Sequence, residues 1–246
     1  MVKRRGGAGS ILIFLIIAFC IALVFEFAAP RIIASHLEGA IRSGVDGIDS
    51  VRIRLGAFPV LRLITSGKVN SLSIDCTGLW VEGLRVESLM IDARDIIIDM
   101  QALREEGKFF LSQIGQGRAD LVIGENDLTM YVKGLKGIPE SVLVELAPGR
   151  VTVKGDVSVA GISIPVNVDG EFVPEQEGTA LAYRINNIQI AGAKLPSVIT
   201  DGLLSSLSFS LDISDLPVPV VISGVSMEDD ILRITGRTLS NDREGM

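Results

Sequence analysis

The sequence has one histidine, two cysteines, one tryptophan and only 5% aromatic residues. A single histidine excludes any site that needs two imidazole ligands, and two cysteines cannot form a disulfide framework, a cysteine-rich zinc site or an iron–sulfur site. The few aromatic residues also disfavour a carbohydrate cleft, where sugars stack on aromatic rings. The composition therefore predicts no metal site and no cofactor.

The charge and the motifs exclude further classes of protein. The net charge of −7 argues against a nucleic-acid partner, because such proteins must neutralise phosphates. The chain contains neither of the two common glycine-rich phosphate-binding loops, and it has no G-x-S-x-G nucleophile elbow. His36 has no indicated nucleophile beside it, so no catalytic residue is predicted. An enzyme that acts on lipid or glycan through carboxylates is kept only as a third hypothesis.

One long apolar run stands near the N-terminus, at residues 11–29, interrupted only by Glu26. As a helix it would be about 28 Å long, which matches the hydrocarbon core of roughly 30 Å. Basic residues precede the run, and this order favours a cytoplasmic N-terminus and an extracytoplasmic main domain. We therefore expect a cytoplasmic tail at 1–10, a single-pass anchor at 11–29 and a location in the cell membrane.

Two alternatives to an uncleaved anchor stay open. Cleavage after Ala29 would leave a signal peptide, but Phe27 is large for the −3 position and Pro30 would follow the cut. Lipidation of Cys20 is also conceivable, although Phe19 is large for the preceding position. In all three cases Cys76 has no disulfide partner, and we expect it to be buried in a strand.

The rest of the chain is rich in isoleucine and valine in alternating patterns. Residues 69–76 and 151–159 alternate apolar and polar, and 220–226 with 231–235 predict a hairpin. Together these patterns predict a β-rich domain. The expected domains are a juxtamembrane helix and first strand at 30–66, continuous with a β-rich domain at 67–246.

Three helical stripes interrupt the strand patterns. One is formed by Ile33, Leu37, Ala40 and Ile41 just after the apolar run. A short helix is expected from about Asn126 to Gly134, and the clearest stripe is at Leu195, Ile199, Leu203 and Leu207. Core packing is the simplest interpretation of the first two. A local basic grouping of Arg52, Arg54 and Arg62 is interpreted as a solvated strand face, with contact to lipid head groups as the alternative.

Residues 78–92 contain a five-residue repeat: two copies of the form Gly-Leu-x-Val-Glu, at 78–82 and 83–87, are followed by Ser-Leu-Met-Ile-Asp at 88–92. Because five is an odd number, a plain strand would turn its apolar face over at every copy. Either bulges at Gly78, Gly83 and Ser88 restore the face, or short strands are joined by tight turns. We interpret the repeat as a strongly curved, bulged sheet.

Several segments over roughly residues 32–236 resemble, in their order and their amino-acid sequences, the LmeA-like family of bacterial phospholipid-binding proteins. The resemblance includes no catalytic motif, and its segments are 66–74, the repeat at 78–92, 117–123, 125–128, 149–153, 161–165, 191–196, 216–219 and 225–236. It implies an N-terminal signal or anchor and a phospholipid ligand. It also implies an α+β fold of the elongated lipid-binding type, in which a curved, mainly antiparallel sheet wraps one or a few helices. It carries over no sharply defined binding residue.

The expected function is therefore a membrane-anchored extracytoplasmic protein that holds or transfers phospholipid in cell-envelope assembly. Its partners would be phospholipid and the membrane. The main alternative is a structural module that binds another envelope protein through an exposed sheet edge. Ordinary core packing is the competing interpretation of every candidate lipid contact. These candidates are Trp80, Val81, Leu84, Val86, Leu89, Ile91, Phe109, Phe110, Leu203 and Leu207.

Overall fold

The structure is a computed structural model, and it describes most of the chain. The described residues are 7–56, 60–107, 111–136, 138–159, 162–190, 210–213, 216, 218 and 220–238. The helices are α1 (Gly7–Gly44), α2 (Val60–Ser66), α3 (Met100–Glu105) and α4 (Glu125–Gly134), with a 3-10 turn at Gln176–Gly178. The strands are β1 (Ser50–Gly56), β2 (Lys68–Val81), β3 (Leu84–Ile98), β4 (Leu111–Gly124), β5 (Leu143–Ala147), β6 (Arg150–Val159), β7 (Ile162–Glu175), β8 (Ala180–Ile190), β9 (Ser210–Asp212), β10 (Val220–Glu228) and β11 (Ile231–Thr238).

The strands form two curled antiparallel sheets. The first has the order β1-β2-β3-β4-β11-β10, and the second has the order β5-β6-β7-β8-β9. This arrangement confirms the antiparallel, β-rich part of the expected fold. A search of the described residues identified no helix long and apolar enough to cross a membrane.

The inner face of the first sheet is a set of aliphatic rows that cross the strands. In one row Ile53, Ile74, Ile91 and Ala119 are direct cross-strand neighbours, and all four are buried. These side chains join one hydrophobic core with the second sheet, whose row of Val144, Val153 and Val168 is equally buried. Burial of these rows fixes the strand register, because a slip of one residue would expose them.

Helix side chains cover two outer edges of the sheets. The Glu38 carboxylate in α1 accepts a hydrogen bond from the Ile53 amide of β1, with Oε1 2.9 Å from N. In β5 the amide of Val144 donates to Thr129 Oγ1 of α4 at 3.0 Å, and the amide of Leu146 donates to Glu125 Oε2 at 2.7 Å. Edge amides that would otherwise be available to a foreign strand are therefore satisfied within the chain.

The five-residue repeat forms a long hairpin. Val81 pairs with Leu84 across a two-residue turn, and Glu82 and Gly83 both have positive φ, at 47° and 82°. Two positive φ values in a two-residue loop suit the right-handed twist of the flanking strands. A tight turn is thus confirmed at Gly83, but the strands that it joins are 14 and 15 residues long and are not the short strands of that alternative.

The predicted bulges are absent from this hairpin, because the register between β2 and β3 does not shift. The apolar face is restored in a different way. Gly78 has a φ of 60°. Just before it, every second side chain of β2 is buried, ending at Cys76, and the next buried side chain is Leu79, three residues on instead of two. The partner strand changes face at the same place, from Leu89 to Val86. Both strands therefore turn together, and a left-handed glycine replaces a bulge.

The predicted hairpin at the C-terminal end and two of the three helical stripes are confirmed. β10 and β11 pair around Asp229 and Asp230, and α4 follows the predicted bounds. In α1 the stripe residues Leu37 and Ile41 are buried against the core, as core packing predicts. The expected helix through residues 195–207 lies outside the described residues.

Candidate functional site

Four of the predicted lipid contacts lie in the shared hydrophobic core. Leu84, Val86, Leu89 and Ile91 are almost completely buried on the inner face of β3. This position agrees with core packing, the competing interpretation. Contact of these four side chains with lipid stays a prediction.

The other predicted contacts are distributed differently. Trp80 and Val81 are half-buried at the end of β2, beside a cavity of about 320 Å³ that Gly44 and Glu82 also line. The backbone amide of Trp80 donates to the carbonyl of Gly47 at 2.8 Å, which holds the indole next to the end of α1. Phe109, Phe110, Leu203 and Leu207 lie outside the described residues.

A larger apolar cavity lies between α1 and α3. Its volume is about 490 Å³, within the range of about 300–1,000 Å³ that is typical of small-ligand pockets. On each of the two helices, the lining residues are spaced three or four positions apart and therefore lie on one face of that helix. The lining residues are Ala29, Ile32, Ile33 and His36 from α1, with Met100, Leu103, Arg104 and Gly107 from the α3 region.

The short helix α3 is held in place by its N-terminal cap. Asp99 follows β3, and its Oδ1 accepts hydrogen bonds from the amides of Gln101 and Ala102, both at 2.9 Å. Satisfying these two amides stabilises a helix of only six residues. The cap therefore directs Met100 and Leu103 towards α1.

The end of β3 is fixed by a close backbone contact. The amide of Ile98 donates to the carbonyl of Gly67 at 2.9 Å, and Gly67 has a φ of 67°. A Cβ atom at Gly67 would lie 2.1 Å from the Ile98 carbonyl oxygen. Only glycine allows this approach, which sets the point where α3 begins.

The chemistry of the α1–α3 cavity is that of an apolar pocket with a polar rim. Ile33, Met100 and Leu103 are half-buried hydrophobic walls, and Ile32 is 57% exposed at the opening. His36 and Arg104 contribute the only nitrogen-bearing side chains among the lining residues. Such a pocket can accept a hydrocarbon chain and place a polar group at its edge.

Two buried titratable groups have raised pKa values. Burial raises the pKa of the Cys76 thiol to about 11, with a smaller effect from Asp75. Burial also raises the pKa of Tyr183, whose hydroxyl donates to the Val168 carbonyl at 2.8 Å. Both groups are held in their neutral forms, so neither is an activated nucleophile or base. The prediction that Cys76 is buried and unpaired in a strand is confirmed.

Arg85 forms ion pairs with two carboxylates. Its guanidinium lies 3.0 Å from Asp49 and 3.3 Å from Asp127, and these hydrogen-bonded carboxylates raise its pKa. The arrangement ties β3 to α4 and to the segment before β1. Within the described residues no group of three or more histidine, cysteine or carboxylate side chains could hold a metal ion.

Sequence reasoning missed the α1–α3 cavity, although part of its signal was present. The stripe through Ile33 was recognised, but its neighbouring stripe at Ala29, Ile32 and His36 faces α3 instead of the sheet. Met100 continues the alternation of Ile96 and Ile98, a pattern that favours a strand, but it begins α3. The Asp99 cap was the local signal for that change, because aspartate before a helix satisfies its free amides.

Comparison with known proteins identifies the class. A family model described as LmeA-like phospholipid-binding matches residues 24–237. The match covers most of the chain, and the chain belongs to this family. A search of curated proteins and a search of solved structures returned no match. Family membership supports phospholipid binding and indicates a binding protein in preference to an enzyme.

Proposed function

We propose that the protein is a membrane-anchored, extracytoplasmic phospholipid-binding protein that holds or transfers lipid in cell-envelope assembly. The apolar run at residues 11–29 would be its single-pass anchor, with the N-terminus in the cytoplasm. The support for the anchor is the length and hydropathy of the run and the basic residues that precede it.

The observation that carries the proposal is the position of the α1–α3 cavity. Ala29 is both the last residue of the apolar run and the first residue that lines the cavity. If the run spans the bilayer, the cavity opens where α1 leaves the membrane. A lipid could then move into it without crossing bulk water.

This route matters energetically, because each CH2 group moved from hydrocarbon into water costs about 0.8 kcal/mol. A cavity beside the membrane exchanges one apolar environment for another and avoids most of this cost. Tethering also raises the effective concentration of lipid at the opening. Binding therefore needs apolar walls such as Met100 and Leu103 and does not require a strongly basic surface.

The alternative of an assembly module has less support in the described residues. That hypothesis needs an exposed sheet edge, but α1 covers β1 and α4 covers β5 through side-chain hydrogen bonds. β10, the other edge of the first sheet, lies against β7 and β5. These three edge strands are therefore covered within the chain. The fourth edge strand, β9, pairs with β8 only at residues 180–182, and no described strand pairs with the rest of that edge of β8.

The proposal is tested by measuring the phospholipid that copurifies with the full chain in mild detergent. Leu103→Glu places a carboxylate on the cavity wall, and we expect it to reduce bound lipid several-fold. Met130→Glu is the matched control, because Met130 is 54% exposed on α4 and does not line the cavity. Lipid associated with the apolar run is the same in both variants, so the difference reports the cavity.

Wild type and Met130→Glu should retain equal amounts of phospholipid. Equal lipid content in all three proteins, or no lipid in any, would contradict the proposal. A thermal unfolding curve for each variant shows whether the Leu103→Glu chain is folded.

A further inference from the structure

The outer face of the first sheet carries an open basin of about 1060 Å³ that is surrounded by arginines. Arg54, Arg94, Arg118 and Arg237 line it, from β1, β3, β4 and β11. The sequence separates these residues by up to about 180 positions, so no local pattern reveals the cluster. Of the basic grouping noted in the sequence, only Arg54 belongs to it.

The strand register explains how the arginines meet. Arg54, Ser73, Asp92, Arg118 and Arg237 are consecutive partners in one row across five strands. A neighbouring row contains Gly56, Ser71, Arg94 and Gln116. The small residues Gly56, Ser71 and Ser73 line the bottom of the basin, and the long arginine side chains line its sides. The result is a concave surface with many hydrogen-bond donors.

The charges in the basin are poorly balanced. Arg118 and Arg237 are directly opposite each other on adjacent strands, an arrangement that is destabilising for like charges. Asp92 is the only carboxylate in the lining. Arg54 is engaged by Asp75 at 2.9 Å, but no salt bridge joins Arg94, Arg118 or Arg237 to a carboxylate in the part of the chain that the structure describes. The excess positive charge occurs in a chain whose net charge is −7.

We propose that this arginine basin binds a phosphate group. Arginine guanidinium groups pair with phosphate oxygens through two parallel hydrogen bonds, and serine hydroxyls and the Gln116 amide can donate further bonds. A bound dianion or monoanion would relieve the repulsion between Arg118 and Arg237. The phosphate could come from a lipid head group or from a free phosphate compound, and the chemistry of the basin is the same for both.

This inference is independent of the α1–α3 cavity. The two sites share no lining residue, and the basin is on the face of the first sheet opposite the core. The full chain can therefore bind phosphate at the basin whether or not lipid enters the cavity. Leu103→Glu should leave phosphate binding unchanged.

The test is titration calorimetry on the full chain in nonionic detergent, with inorganic phosphate, dioctanoyl phosphatidic acid and dioctanoyl glycerol as probes. We expect Arg118→Gln and Arg237→Gln each to weaken binding of the phosphate-bearing probes about tenfold, because each variant loses charge-assisted hydrogen bonds to the phosphate. Arg52→Gln is the matched control, because Arg52 is an exposed arginine of β1 outside the basin. It should bind as wild type does.

The two sources of phosphate give different results. Phosphatidic acid that binds at least about tenfold more tightly than inorganic phosphate indicates a lipid head group, and equal affinities indicate a free phosphate compound. Absence of phosphate binding by wild type overturns the proposal, as does equal binding by Arg118→Gln, Arg237→Gln and wild type. In chloride, a cooperative thermal unfolding curve for each variant shows that it is folded.

Discussion

The Glu38 carboxylate of α1 accepts a hydrogen bond from the backbone amide of Ile53 in β1, with 2.9 Å between Oε1 and N. This bond joins the part of α1 that lies beyond the apolar run to the edge of the first sheet. Leu37 and Ile41 of the same helix are buried in the core. The position of α1, and with it one wall of the candidate lipid cavity, is therefore determined by the sheet.

Replacement of Glu38 by alanine should loosen the attachment of α1. The Ile53 amide would lose its acceptor, and we expect a loss of about 1–2 kcal/mol in the free energy of unfolding. Glu38→Gln keeps a carbonyl oxygen at the same place and should lose less. Urea unfolding of the full chain in detergent measures both. Equal stability of Glu38→Ala and wild type would show that the bond does not hold the helix.

Thr129 has the corresponding role between α4 and β5. Its buried hydroxyl accepts from the Val144 amide at 3.0 Å. Thr129→Val keeps the shape but leaves this amide unsatisfied, so it should lower the free energy of unfolding by about 1–3 kcal/mol. Thr129→Ser retains the hydroxyl and removes one methyl group, which should cost about 1 kcal/mol. If the serine variant were the less stable of the two, packing and not hydrogen bonding would dominate at this edge.

The turn between β2 and β3 offers a stabilising substitution. Glu82 has a φ of 47°, a conformation that glutamate adopts rarely and asparagine more readily. Asn-Gly is the preferred pair for a two-residue hairpin loop with both φ values positive. Glu82→Asn should therefore raise the free energy of unfolding by about 0.5–1 kcal/mol. Glu87→Asn, also exposed but within β3, is the control and should not stabilise the protein.

Cys76 should be nearly unreactive in the folded protein. Its pKa is raised to about 11, and each pKa unit lowers the thiolate fraction tenfold, so the folded protein has roughly hundredfold less thiolate than the unfolded chain. Burial also restricts the access of reagents to the sulfur. Alkylation by iodoacetamide at pH 8 measures the rate, in a Cys20→Ala background so that one thiol remains. The rate should rise by at least about hundredfold in concentrated urea. Similar rates with and without urea would mean that Cys76 is not buried.

The same thiol gives stability a dependence on pH. A pKa raised in the folded state means that the unfolded chain loses its proton first as the pH rises. Stability should therefore decrease between a pH of about 9, the ordinary pKa of a cysteine thiol, and about 11. Cys76→Ala should lack this component, and the difference between the two unfolding curves isolates it. An identical pH profile for both proteins would contradict the raised pKa.

Sequence patterns predicted the parts of the fold that depend on local periodicity. Alternation in β2 and β6, the C-terminal hairpin and the stripes of α1 and α4 all follow from burial of every second residue or of every third and fourth residue. They predicted that the apolar face is restored at Gly78 but not how, because a left-handed residue and a bulge can both correct an odd-numbered repeat.

Both candidate sites depend on contacts between distant segments. The α1–α3 cavity forms because the fold places Ala29 and Ile33 beside Met100 and Leu103. The arginine basin forms because the register of β3, β4 and β11 aligns its arginines. Neither pairing leaves a pattern in the neighbouring residues. The resemblance to the LmeA-like family predicted the ligand class and no binding residue. The cavity therefore became visible only with the fold.

The most direct test of the account is photocrosslinking of the full chain in vesicles that contain a phospholipid with a photoactivatable acyl chain, followed by peptide mapping. The account predicts adducts on the peptides that carry Ile32 and Ile33 and on those that carry Met100 and Leu103, with fewer adducts on α3 in Leu103→Glu than in Met130→Glu. Adducts confined to residues 11–29, with none on α3, would contradict lipid binding in the cavity between the two helices.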